Sequence, residues 1–318
     1  MNLPTLLQLI VSSSLMYAAP LIFTALGGTF SERSGVVNIG LEGIMVMGAF
    51  MSAIFNLEFY GTFGNMTPWL GLLAGGVIGL LFSLLHGVAS IHLRADHIVS
   101  GTVINLAAPA LAVFLTRAFY GAAQTGPLAR SFGFSNIPLL HRIPVIGPIL
   151  FGNTSGPAFL GILTAIIAWF ILYKSRFGLR LRSVGEHPHA AETLGINVYM
   201  MKYAGVMISG FLGGIGGAIQ AQAIHNEFGI LTVAGQGFIA MAAMIFGKWN
   251  PLGAMGAAIF FGFAQSLARV GNYIPIIQDV PSVWLQVLPY LLTIIILVGV
   301  VGRSEAPKDL GNTFIKSK

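Results

Sequence analysis

Apolar runs of about twenty residues, separated by short polar turns, recur along this whole chain and restrict its fold more than any motif does. A bilayer core about 30 Å thick needs roughly 20 apolar helical residues per crossing. That window yields candidate spans at 5–27, 36–56, 68–91, 97–119, 156–174, 199–223, 235–247, 251–268 and 285–301. With 55% hydrophobic and 8% charged residues among 318, the chain lacks the polar surface of a water-soluble domain. The sequence therefore predicts an all-α fold, a polytopic transmembrane helical bundle of about nine spans forming a single domain over 1–318. The windows 235–247 and 251–268 are short and flank Lys248-Trp249-Asn250-Pro251, which leaves open a helical hairpin or a partly re-entrant pair.

Charge orients the bundle, because short loops rich in Lys and Arg stay on the cytoplasmic side. The loop 176–198 carries Arg176, Arg180 and Arg182, directly after Lys174. It reads as cytoplasmic, and so does the basic tail 302–318 with Arg303, Lys308, Lys316 and Lys318. Counting back from that loop puts the 31–34 and 92–97 turns inside, and the N-terminus and the 57–67 and 120–155 loops outside. The formal net charge of +6 thus reports orientation and implies no nucleic-acid partner. The first twenty residues have no basic n-region or small-residue cleavage site and read as a retained span. Within loop 176–198, Gly185-Glu186-His187-Pro188 leads into a short helix over 189–194 closed by Gly195. Such a helix lies across the membrane surface, available to a partner.

Enzymatic chemistry finds little support. No G-x-x-x-x-G-K-[ST] loop is present, so any ATP hydrolysis belongs to another chain. The seven histidines form no H-E-x-x-H, and cysteine is absent, which leaves no thiolate metal site, disulfide or cysteine nucleophile. No metal or cofactor is expected.

Polar groups in or beside spans carry more weight, since each is costly in hydrocarbon. The densest set is Ser31 to Gly43, in which Asn38 and Glu42 share a face if the segment is helical. Its glycines suggest a broken or re-entrant helix bordering a watery translocation path. An interfacial turn with Glu42 hydrogen-bonded inside the bundle is the competing reading. His97, Gly101, Asn105 and Pro109 form a second stripe, compatible with solute passage at Asn105 or with a proline kink. Gly71, Gly75 and Gly79, and Gly210, Gly213, Gly214 and Gly217, read as close helix-packing faces.

Four blocks carry a family resemblance: FSERSGVVNIGLEGIMVMGAF (30–50), RADHIVSGTVINL (94–106), FGLRLRSVGEHPHAAETLGI (177–196) and GFIAMAAMIFGKWNPLGA (237–254). Together and in order, they resemble bacterial ABC-importer permeases of the branched-chain amino acid/ribose type. They are most similar to the nucleoside branch, whose binding component is a basic-membrane-protein lipoprotein. The resemblance implies a multi-pass subunit of the bacterial cell (inner) membrane, a transporter subunit and not an enzyme. It also implies a paralogous permease subunit, a cytoplasmic ABC ATPase, an external substrate-binding lipoprotein and a nucleoside substrate. By the same resemblance Gly185, Glu186, Pro188, Ala190, Ala191, Glu192 and Gly195 match a coupling-helix loop that fits the ATPase. Asn38, Glu42 and Asn105 as translocation-path residues rest on the polarity argument alone. The alternatives are a permease for ribose-like sugars or branched-chain amino acids and, in a different class, an ATP-independent secondary transporter.

Overall fold

Three of the long helices begin where a polar loop residue satisfies their first free N–H groups, which sets where those apolar runs start. The computed structural model describes residues 3–136, 146–271 and 305–316 and the isolated positions 141, 143, 284, 287 and 291. Its helices are α1 (Leu3–Arg33), α2 (Leu41–Phe63), α3 (Thr67–Gly87), α4 (His97–Tyr120), α5 (Ile146–Phe151) and α6 (Gly156–Lys174). They continue as α7 (Arg176–Glu186), α8 (Pro188–Thr193), α9 (Val198–Ile219), α10 (Gln236–Phe246) and α11 (Pro251–Val270). Asp96 caps α4 through Ile98 N–H at 2.8 Å, Asn197 caps α9 through Met200 N–H, and Asn250 caps α11 ahead of Pro251. The strand content described is one antiparallel pair, β1 (Phe134–Ser135) with β2 (Thr154–Ser155).

Among the described residues, six helical stretches are long and apolar enough to cross a membrane: Thr5–Arg33, Leu41–His92, His97–Tyr120, Gly156–Lys174, Val198–His225 and Pro251–Val270. The second has 52 residues, about 78 Å at 1.5 Å per residue, which is far more than one crossing. It comprises α2 and α3, which pack on each other and are joined at Gly64, where φ is +51°. Of the nine windows read from the sequence, that at 285–301 lies outside the described residues except Val287 and Leu291. The window at 235–247 coincides with α10, whose 11 residues, about 16 Å, do not cross a bilayer core.

Helices α1 and α9 form the centre, with α3 and α2 against α9, and α11, α10 and α6 against α1. Small residues make this approach possible, because lipid supplies no hydrophobic drive between helices. A Cβ on Gly75 would stand 2.8 Å from Ala218 Cβ, and one on Gly79 would stand 2.7 Å from Gly214 Cα. The four-residue glycine spacing on α3 is therefore the α3–α9 contact. On the opposite side of α3, Leu73, Val77, Leu81 and Leu85 are exposed.

The sequence reading of 31–43 needs correction. Helix α1 runs through Arg33, residues 34–40 are a buried non-helical turn, and α2 starts at Leu41. Asn38 and Glu42 are thus not on one helical face, since the irregularity separates two spans and interrupts neither. The interruption lies elsewhere. At the end of the bundle where α4 finishes, Thr125 and Leu128 donate backbone bonds to Phe228 and Asn226 carbonyls. At the other end, Lys248 and Trp249 contact Arg33. Residues 226–250 therefore traverse the bundle with 226–235 non-helical and only α10 wound.

Candidate functional site

The loop after α6 folds as an elbow of two helices. Ser175 accepts a hydrogen bond from Gly178 N–H at 3.1 Å and so starts α7. Apolar Phe177, Leu181 and Val184 lie against the bundle, while Arg180 faces outward. Arg182 folds back, its Nε donating to Leu172 O at 3.0 Å and its guanidinium lying 4.7 Å from the Tyr173 ring. His187, extended at φ −148°, makes the corner, and Pro188 opens α8. Gly195, at φ +77°, closes α8: its N–H donates to Glu192 O at 2.8 Å, and Ile196 N–H donates to Ala191 O at 3.1 Å. This is the Schellman pattern, which favours glycine at that position.

Within the elbow, Gly185, Pro188 and Ala191 are buried, Ala190 and Gly195 are exposed, and Glu186 and Glu192 are half-buried. Gly185 lies so close to Arg33 O and Gly35 N that a side chain there would collide with backbone. The elbow thus rests directly on the turn between α1 and α2. The helix expected over 189–194 is α8, whereas 176–186, expected as loop, is helical as α7. The Ser175 cap followed by apolar residues at 177, 181 and 184 was the available signal for α7.

That turn, 34–40, touches α3, α4, α7 and α9. Asn38 Nδ2 donates to Ser209 Oγ on α9 at 2.9 Å, and its Oδ1 has no hydrogen-bond partner among the described residues. His86 Nε2 lies 2.9 Å from Val37 O, and Val37 N–H donates to His97 Nδ1. Asn105 on α4 bridges the turn to α2: its Nδ2 donates to Ile39 O and its Oδ1 accepts from Gly43 N–H, both at 2.8 Å. Glu42 reaches across to α10, each carboxylate oxygen accepting one backbone N–H, from Gly235 at 2.6 Å and Gly237 at 2.7 Å. A carboxylate at the start of α10 satisfies its free donors and complements its dipole. Asn38, Glu42 and Asn105 are thus gathered around one turn, with the elbow on its far side.

Three groups of contacts were not foreseen. Trp249 Nε1 donates to Glu32 Oε2 at 2.5 Å, while Arg33 donates to Trp249 O and Lys248 O at 2.9 and 3.1 Å. Lys248 and Trp249 both have positive φ, a costly conformation for side-chain-bearing residues, and the end of α1 holds them in it. Asn56 and Gln222 pair at 2.9 Å near the other end of the bundle. Finally, the tail segment 305–316 crosses beneath the elbow, its Asp309 pairing with Lys202 of α9 at 3.3 Å. Each pairing joins residues more than a hundred positions apart, so spacing gave no signal for it.

Residues 10–297 match the family described as branched-chain amino acid transport system / permease component. The nucleoside ABC transporter permease protein NupC of Lactococcus lactis subsp. cremoris is 59% identical over 318 residues, covering both chains completely. The guanosine ABC transporter permease protein NupQ of Bacillus subtilis is 54% identical, again over both full lengths. A second guanosine ABC transporter permease protein of that organism, NupP, is 26% identical over 90% of this chain and 80% of its own. The similarity makes this a transporter subunit, and with the six apolar stretches it makes a multi-pass bacterial membrane protein. The chain belongs to the family of branched-chain amino acid transport system permease components.

Proposed function

We propose that this chain is the transmembrane permease subunit of an ATP-binding-cassette importer for nucleosides. End-to-end similarity to nucleoside and guanosine permeases carries this reading. Transport is powered by a separate cytoplasmic ATPase, and an external lipoprotein delivers the solute. The path forms together with a paralogous permease, a pairing supported by the occurrence of NupQ and NupP in one organism.

In this reading the elbow faces the ATPase, with Gly185, Glu186, Pro188, Ala190, Ala191, Glu192 and Gly195 as the coupling residues. A compact helix with one buried and one exposed face suits a lever, and coupling requires an element that both sites bias. The single domain 1–318 has its N-terminus outside and its basic tail inside. Residues 41–92 count as two crossings, 226–250 as one half-unwound crossing and 285–301 as a last one, nine in all. Asn38, Glu42 and Asn105 border the translocation path as the polar frame joining α2, α4 and α10.

The test is uptake by the assembled complex in proteoliposomes with competing solutes. Unlabelled guanosine or another nucleoside is expected to suppress uptake of labelled guanosine. Competition by ribose or leucine, with none by nucleosides, overturns the substrate assignment.

A further inference from the structure

The tail segment 305–316 is joined to each moving part of the proposed coupling machinery. Asp309 N–H donates to Gly185 O at 2.9 Å and Lys308 N–H to Glu186 Oε2 at 3.4 Å, so the tail is bonded to the α7–α8 joint. Gly311 N–H donates to Gly35 O at 3.1 Å, which bonds it to the buried turn. Phe314 is 6% exposed, with its ring 5.1 Å from that of His189 on α8 and 5.5 Å from that of Tyr199 on α9. Lys202 secures the arrangement. It is 2% exposed, and its Nζ reaches Asp309 Oδ2 and Asn312 O, each at 3.3 Å. A buried cation of this kind is tolerated only with a partner, so the pair fixes where the segment runs.

The turn under the segment is flanked by the two residues that hold the half-unwound crossing. Arg33 binds its Lys248–Trp249 end, and Glu42 binds the Gly235–Gly237 start of α10. We propose that 305–316 is a transmission strap in which Asp309, held by buried Lys202, positions the elbow on the 34–40 turn so that displacement of α8 reaches α10. Asp309 and Lys202 are positioning residues that touch neither ATP nor solute. The inference rests on the reading of α8 as the ATPase-facing helix.

The complete complex, with both permeases, the ATPase and the lipoprotein, is assayed in proteoliposomes for guanosine uptake, ATP hydrolysis and retention of the ATPase on the tagged permease. Asp309→Asn is expected to lower uptake about tenfold while hydrolysis and retention stay within about twofold, because the strap transmits and does not dock. Asp309→Glu is expected to recover most of the uptake. Phe314→Ala, which spares the ion pair, is expected to show the same split and serves if Asp309→Asn accumulates poorly. Unchanged uptake in these variants, or uptake lost in step with ATPase retention, overturns the strap. The ATPase-facing reading of α8 fails separately, if Glu192→Arg retains the ATPase as the unaltered complex does.

Discussion

At the scale of single residues, the polar groups inside the bundle are joints between helices. Both oxygens of Glu42 are occupied by backbone N–H groups of the Gly235–Gly237 segment. A glutamine there turns one acceptor into a donor facing a donor. Glu42→Gln is expected to lower stability by about 1–3 kcal/mol and to slow uptake more than ATP hydrolysis. Thermal melting of the purified subunit, alongside uptake by the complex, checks this, and an unchanged melting curve removes Glu42 from the frame. Glycines give a sharper contrast. A Cβ on Gly217 would meet the Met45 backbone, whereas one on Gly256 meets nothing within 4 Å. Gly217→Ala is expected to cost about 1–3 kcal/mol by overpacking, and Gly256→Ala to be neutral or stabilising. Equal melting temperatures for the two variants contradict the packing described. Polarity and spacing marked Glu42 and the glycine ladders in the sequence. They could not reveal that Glu42 caps a helix beginning almost two hundred positions later.

At the scale of elements, α8 owes its shape to local chemistry. Pro188 supplies a helix start that needs no N–H, and Gly195 supplies the left-handed stop. Both signals are contiguous in sequence, which is why the short helix was legible within a residue of its bounds. Deleting 186–194, or substituting Glu192→Arg, is expected to abolish uptake while the protein remains in the membrane fraction. A well-expressed variant with normal uptake ends the coupling assignment. The segment 226–235 is the opposite case. Its apolar residues from Phe228 to Ala234 lead into α10, yet it is non-helical, with backbone bonds to Thr125 and Leu128 at one end and to Glu42 at the other. If this stretch lies at membrane depth, as the proposed crossing has it, its non-helical backbone persists only because protein groups take those bonds. Nothing within the ten residues themselves announced that.

At the scale of the whole molecule, the absence of cysteine from the sequence permits a direct test of orientation. A single cysteine at exposed Ala190 is expected to react with an impermeant maleimide only from the cytoplasmic side, and one at exposed Gly126 only from outside. The reverse pattern inverts the proposed topology. The blocks of sequence that carry the resemblance, separated by up to two hundred residues, meet here: 94–106 and 177–196 touch the 34–40 turn, and 237–254 binds Arg33 and Glu42 on either side of it. What the sequence determined by itself was the apolar solvent, the long apolar helices, the short helix α8 and the family, since hydropathy and helix stops are sums over neighbouring residues. The tertiary structure alone decided which polar side chain answers which backbone group, that 226–235 is non-helical, and that the tail returns to bridge elbow and turn. Those pairings depend on how closely glycine-faced helices approach, a property of two surfaces in contact that no stretch of either one contains.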